Sequence, residues 1–256
     1  VGAAADNVYP TPAVQVVMPL EALGNPAAAV GHLNGVLDPD GGYRQEPLVV
    51  RYYDSYFPSM SLAIAARSLN LAAKDIRMEL GEGVVLGNLR IRTDPGLRMH
   101  SYYYKSSPDG RSAFAVDSFF DVISGKIPAD KYRDKIVLIG ATAAGLGATH
   151  VTPVDTAMPP VLVLAHNVSS ILQEDFFVKP EWGAWVRLGL FLLIGAYLAL
   201  ALPRLKAGPA AAVTSALVVA LLGAHFALMT TKLMWIELMG PVILLVIGHM
   251  TLTTKR

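Results

Sequence analysis

Apolar positions along this chain follow two regimes. As far as about residue 181 they come in short alternating or helically spaced runs, and from Trp182 onward they are nearly continuous. In the first regime, β-type runs fall at Val14–Met18, Leu33–Leu37, Leu48–Tyr53, Val84–Leu86, Leu89–Arg92, Met99–Tyr104 and Lys135–Ile139. Helical spacing predicts helices at Met60–Ala73, Ala115–Ser124 and Leu164–Glu174, with Pro58-Ser59 as the start signal of the first. The second regime holds apolar stretches at Trp182–Leu202, Ala210–Met229 and Met234–Leu252. Each has about 20 residues, which at about 1.5 Å per residue crosses a ~30 Å hydrocarbon core.

Charge sharpens the division. The 256 residues carry a formal charge of +1 and no cysteine. Six of the 21 basic residues and one of the 20 acidic residues follow Trp182, so this part carries +5 and residues 1–181 carry −4. A mean hydropathy of +0.44 and this charge balance argue against a nucleic-acid binder or a disordered tail. Without cysteine there is no disulfide framework, thiolate zinc site, iron–sulfur cluster or cysteine nucleophile. The start at Val1, with no basic-then-apolar leader, is expected of a piece of a longer protein.

Basic residues set an expected orientation. Arg204 and Lys206 follow the first apolar stretch and Lys255 and Arg256 end the third, whereas Lys232 alone lies between the second and third. By the positive-inside rule the first connection and the C-terminus are cytoplasmic and residues 1–181 lie outside. Trp182, Trp185 and Trp235 are then anchors at the outer headgroups, with Arg187 and Glu237 beside them. Snorkelling of Arg187 and Glu237 into headgroups is the expectation, and pairing between helices the alternative. His225 and His249 are expected as interfacial or helix-packing residues rather than cofactor ligands. Gly189, Gly195, Ala199, Ala201 and Gly223 suit close helix packing.

Residues 1–181 offer few chemical motifs. Asp38-Pro39-Asp40-Gly41-Gly42 resembles the start of a calcium loop, but its fifth position is Gly42 and its twelfth Val49. A hairpin turn accounts for it better. Lys135–Gly147 reads as a buried strand followed by a glycine-rich loop lacking the Lys-Ser/Thr of a nucleoside triphosphate loop. A ligand cleft at the end of that strand is the tentative binding site, lined by Gly140, Thr142, Ala143, Gly145, Gly147 and Thr152. His32, His100, His150 and His166 are scattered, and no nucleophile–base pair, carboxylate pair or metal cluster has a recognisable spacing. The expectation is no catalytic residue, metal or cofactor.

Gly31–Val50 (GHLNGVLDPDGGYRQEPLVV), Pro58–Ala65, Thr93–Tyr102 and Lys135–Asp155, followed by Met-Pro-Pro and Ala165-His166-Asn167, resemble the type-two CHASE sensor domain. The likeness covers about residues 14–181 and extends into the apolar tail. It implies an α/β extracytoplasmic sensor domain (1–181, N-terminally incomplete) followed by an all-α three-helix transmembrane segment. It also implies a bacterial inner-membrane receptor with a periplasmic or extracellular sensor. The output, expected beyond Arg256, is a nucleotide cyclase, a histidine or serine/threonine kinase, or a diguanylate cyclase. Departures from the family are Ala148 in place of Asp, and Pro160–Ala165 in place of Gly-Val-Glu-x-His-Ala. Expected partners are the lipid bilayer, a second copy or a larger membrane complex, and a small ligand or periplasmic protein. The alternative function is a structural or accessory subunit of a membrane assembly.

Overall fold

A run of alternating residues becomes a strand where a neighbour takes up its backbone hydrogen bonds. The computed structural model describes residues 10–107, 109, 112–143, 147–180 and 182–254, and it divides into two units at Phe176/Phe177. In chain order the first contains β1 (Thr11–Pro12), α1 (Glu21–Gly24), β2 (Val36–Leu37), β3 (Tyr43–Pro47), β4 (Val49–Tyr52) and β5 (Ser55–Pro58). Next come α2 (Met60–Ser68), β6 (Ile76–Glu79), β7 (Gly83–Leu86), β8 (Leu89–Arg92), β9 (Arg98–Ser101), α3 (Phe119–Ile123) and α4 (Pro160–Gln173). β10 (Phe176–Phe177) straddles the division.

Among the described residues the strands form three small sheets, in the orders β1-β4-β5, β10-β9-β3-β2 and β6-β7-β8. β1 runs parallel to β4, while β3 is antiparallel to both β2 and β9. In the third sheet Val84, Leu86 and Ile91 are fully buried, as two-residue alternation requires of one face. Ser59 caps α2 by accepting from Leu62 N–H at 3.2 Å. Three of the five buried residues of α2 are alanines (Ala63, Ala65 and Ala66), and their small side chains bring its backbone close to α4. α2 stops at Ser68, short of the expected Ala73, and Asn70 takes a left-handed conformation (φ 57°). α4 opens on Pro160, where a missing N–H costs nothing, and closes on left-handed Glu174.

Two expected strands are not strands. Val14–Met18 is irregular, with Val14, Val17 and Met18 exposed. Lys135–Ile139, expected to be buried, is an irregular segment with Ile136, Val137 and Ile139 exposed. Among the described residues, Ile136–Ile139 take part in no hydrogen bond. The apolar character is present, but no described strand lies alongside to make a ladder.

In the second unit α5 (Gly183–Ala196) continues through a π-helical turn at Tyr197–Ala201 and a 3-10 turn at Leu202–Arg204. α6 (Ala207–Lys232) and α7 (Met239–Thr254) follow. Among the described residues two helical stretches, Gly183–Arg204 and Ala207–Lys232, are long and apolar enough to cross a membrane. The third expected span, Met234–Leu252, is helical only from Met239. Just before it, Trp235 N–H donates to Val178 O at 2.9 Å and Val178 N–H to Leu233 O at 2.8 Å, so the chain is engaged in a strand-like bridge there. Ile194, Leu198, Leu202, Ala210 and Leu245 form the interior of the unit. A side chain at Gly248 would collide with Leu198, and one at Gly240 would lie 2.9 Å from the Phe191 ring. These glycines let α7 approach α5 closely.

Candidate functional site

The densest buried polar cluster of the first unit lies around β3, β9, α2 and α4. Glu46 is buried on β3, opposite Met99 of β9. Ser61 on α2 donates its hydroxyl to Glu46 Oε1 at 2.7 Å, and the Ser59 and Ser61 hydroxyls are 2.9 Å apart. Ser59 also accepts Leu62 N–H, so a chain of hydrogen bonds links the first turn of α2 to the carboxyl. Burial pushes the Glu46 carboxyl up to about 7, with the Ser61 and Ser59 hydroxyls pulling against it. Burial, together with the charge of Glu46, also raises Tyr43 and Tyr103. Among the described residues, Glu46 Oε2, Tyr103 OH and Asn167 Oδ1 are buried without a hydrogen-bond partner. The sequence reading passed over Glu46. Its place between Gln45 and Pro47 carries no signal of burial.

α4 supplies the other wall. Ser170 Oγ accepts from Tyr102 N–H and donates to Tyr102 O, both at 3.1 Å, and His166 Nδ1 accepts Tyr104 N–H at 3.2 Å. His166 is surrounded by the rings of Tyr103, Tyr104 and Phe114, at 5.0, 5.8 and 4.9 Å between centroids. Burial lowers its pKa to about 4, and does the same to His32. His166 is therefore a neutral packing residue in a ring of aromatics. Leu162, at one of the family's polar positions, packs against the cluster of Tyr43, Tyr103, Met158 and Val163.

The tentative ligand loop has a different character. Gly140 faces Val161: a Cβ at residue 140 would lie 2.6 Å from the Val161 Cβ, so close approach to α4 explains this glycine. Thr142 and Ala143 are exposed, Gly145 lies outside the described residues, and Gly147 has φ +142° in open space. Thr152 is buried, but its hydroxyl donates to Asp155 O at 2.9 Å and accepts Asp155 N–H at 3.1 Å. Its hydrogen-bonding capacity is used locally. A cleft of about 150 Å³ lies elsewhere, lined by Ala28, Val30, Pro58, Ala63, Leu71 and Arg67 among others. Arg67 donates to Ala28 O.

The acidic turn between β2 and β3 is closed by Arg44, which pairs with Asp38 and Asp40, each at 2.7 Å. Gly41 has φ +78°, and Gly42 N–H donates to Asp40 Oδ1 at 3.0 Å, as the hairpin reading requires. Among the described residues no group of three or more His, Asp or Glu could hold a metal ion.

In the second unit Arg187 and Glu237 form an ion pair, which corrects the expectation that each snorkels alone. Lys179 joins Glu237 at 3.5 Å and sits 5.3 Å over the Trp235 ring. Trp182 and Trp185 are exposed, and Arg204 donates to Leu200 O at the far end of the first long helical stretch. Lys206 is the residue just before α6. His249 bonds Thr214, as a helix-packing residue should.

The comparisons with known proteins fit this layout. The chain matches the CHASE2 domain family model over residues 3–200. No curated protein and no solved structure matches it. The family match covers the α/β unit and runs on into the first long apolar helix, so the chain belongs to the CHASE2 domain family, a family of sensory domains.

Proposed function

We propose that this chain is the membrane-anchored, extracytoplasmic sensory module of a bacterial inner-membrane receptor, controlling a cytoplasmic nucleotide cyclase or protein kinase. The observation that carries the reading is the family match over residues 3–200, which reaches from the α/β unit into Gly183–Arg204 and supports reading the two as one inherited piece. Basic residues at Arg204, Lys206, Lys255 and Arg256 support a cytoplasmic C-terminus and a periplasmic or extracellular first unit. α7 serves as a third span: its 16 residues reach about 24 Å, and local bilayer thinning makes up the difference. The lipid bilayer and a second copy of the chain are its partners. A small ligand or periplasmic protein at the loop containing Gly140, Thr142, Ala143, Gly145, Gly147 and Thr152 biases two states of the module, at a typical coupling of ~1–3 kcal/mol.

Protease added to sealed spheroplasts and to inverted vesicles tests the topology. The reading requires residues 10–176 to be cut in spheroplasts and protected in inverted vesicles, and the reverse pattern overturns it.

A second reading, an accessory subunit of a membrane assembly, is favoured by one observation. Phe119, Phe120, Ile123, Ile136, Val137 and Ile139 all expose large apolar side chains. Under this reading the first unit buries more than about 1,000 Å² against another protein. A purified chain that stays monomeric and binds a small metabolite tightly counts against it.

A further inference from the structure

We infer that Glu46 is a proton-binding site of the sensory unit, taking up its proton on the carboxyl that ends the hydrogen-bond chain from the first turn of α2. The inference deepens the sensory reading and rests on it, because it adds a proton, bound at β3, to what biases the unit.

Three observations converge on this carboxyl. It is buried among Tyr43, Tyr103, Ser59, Ser61 and the apolar core, where an ionised carboxylate loses its hydration. Oε1 is held by the Ser61 hydroxyl at 2.7 Å, whereas Oε2 has no partner among the described residues. With no donor among the described residues to stabilise a negative charge on Oε2, a proton there removes a buried charge that the Ser61 and Ser59 hydroxyls offset only in part. The bonded oxygen is tied through Ser61 and Ser59 to Leu62 N–H, so the charge on Glu46 acts on the N-terminus of a helix.

The titratable and charged groups around this carboxyl come from β3, β9, α2 and α4. On β3, Tyr43 is raised, and Arg44 is engaged by Asp38 and Asp40. Beyond β9, Tyr103 is also raised, and His100 lies at the register position next to Met99, the partner of Glu46. α4 brings His166, held neutral by burial, and Asn167, while α2 brings hydroxyls and no charge against Glu46. Uptake moves one proton from water onto the carboxylate, forming one O–H bond and cancelling one buried negative charge. α2 packs on α4, so the two protonation states differ at the interface of these helices.

The test is infrared difference spectroscopy of the whole chain in lipid nanodiscs, stepped from about pH 5 to about pH 9. The C=O stretch of a protonated carboxylic acid should disappear with a midpoint near 7 and be missing throughout in Glu46→Gln. Ser61→Ala removes a donor to the charged form and should move the midpoint up by about one pH unit. No titrating acid band in the wild type, or the same band in Glu46→Gln, overturns the site. If Glu46→Gln does not fold, the Ser61→Ala displacement decides, and an unmoved midpoint overturns it. A silent carboxyl leaves the sensory reading intact. A first unit found in the cytoplasm by the protease test defeats the sensory reading whether or not Glu46 titrates.

Discussion

Thr214 Oγ1 lies 2.9 Å from His249 Nδ1 and 2.9 Å from the Tyr197 hydroxyl, so one threonine joins three helical segments of the second unit. Thr214 is buried in an otherwise apolar surrounding, where it is the shared partner of two polar groups. Thr214→Val keeps the shape and removes the hydroxyl. We expect a loss of about 1 kcal/mol of stability in detergent, read as lower resistance to unfolding in mixed micelles. His249→Ala in the Thr214→Val background should then add less than it does alone, because the two losses share one bond.

Ser59 does two things at once, capping α2 through Leu62 N–H and bonding Ser61. Ser59→Ala should cost about 1–2 kcal/mol, measured by chemical denaturation. Ser59→Asp should restore the cap but place a second carboxyl near Glu46, and should recover less stability than a cap alone returns.

Gly31 has no room for a side chain. A Cβ there would lie 2.6 Å from Met60 Cα and 2.7 Å from Met60 N, both backbone atoms at the start of α2. Gly31→Ala should destabilise by about 1–3 kcal/mol. Gly41→Ala meets no neighbour and bears only the strain of φ +78°, so it should cost less in the same denaturation assay.

Burial lowers the imidazoles of His32 and His166 to about 4 in the folded unit, below their ordinary 6.5. The unfolded chain therefore binds more protons between these values. Their contribution to stability is complete above pH 6.5 and is lost as pH falls toward 4. Glu46, raised to about 7, acts oppositely: its contribution is complete below about 4.5 and is lost as pH rises through 7. Glu46→Gln should leave the histidine slope alone, so stability should rise more steeply from pH 4 to pH 6.5 than in the wild type. Adding His166→Gln should flatten that rise, as measured by thermal midpoints across the pH series.

Much of the layout was legible from residue pattern, and the exceptions share a cause. Leu89–Arg92 is a strand over the range its alternation predicts, and Ser59 opens α2 as the start signal requires. The acidic turn at Asp38–Gly42 is a hairpin connection, as its glycines suggested. Val14–Met18 and Lys135–Ile139 have strand-like composition without a strand, because periodicity reports apolar faces but not a neighbouring backbone. Glu46 was missed for a related reason. A glutamate between Gln45 and Pro47 reads as surface, and only the approach of α2 from 15 residues further along the chain shows it to be enclosed. Arg187 and Glu237 lie 50 residues apart in sequence, too far for spacing to disclose a pair.

The Ile136-Val137-Leu138-Ile139 segment, with three of its four side chains exposed, is also a liability when copies are crowded. Its amide and carbonyl groups, without partners among the described residues, lie among β-branched side chains with no charge, a pattern that cross-β stacking uses. Identical copies of the α/β unit, freed from the bilayer and crowded together, should associate through this segment, read as light scattering that grows with concentration. A lysine in place of Val137 acts as a gatekeeper that keeps such material in solution.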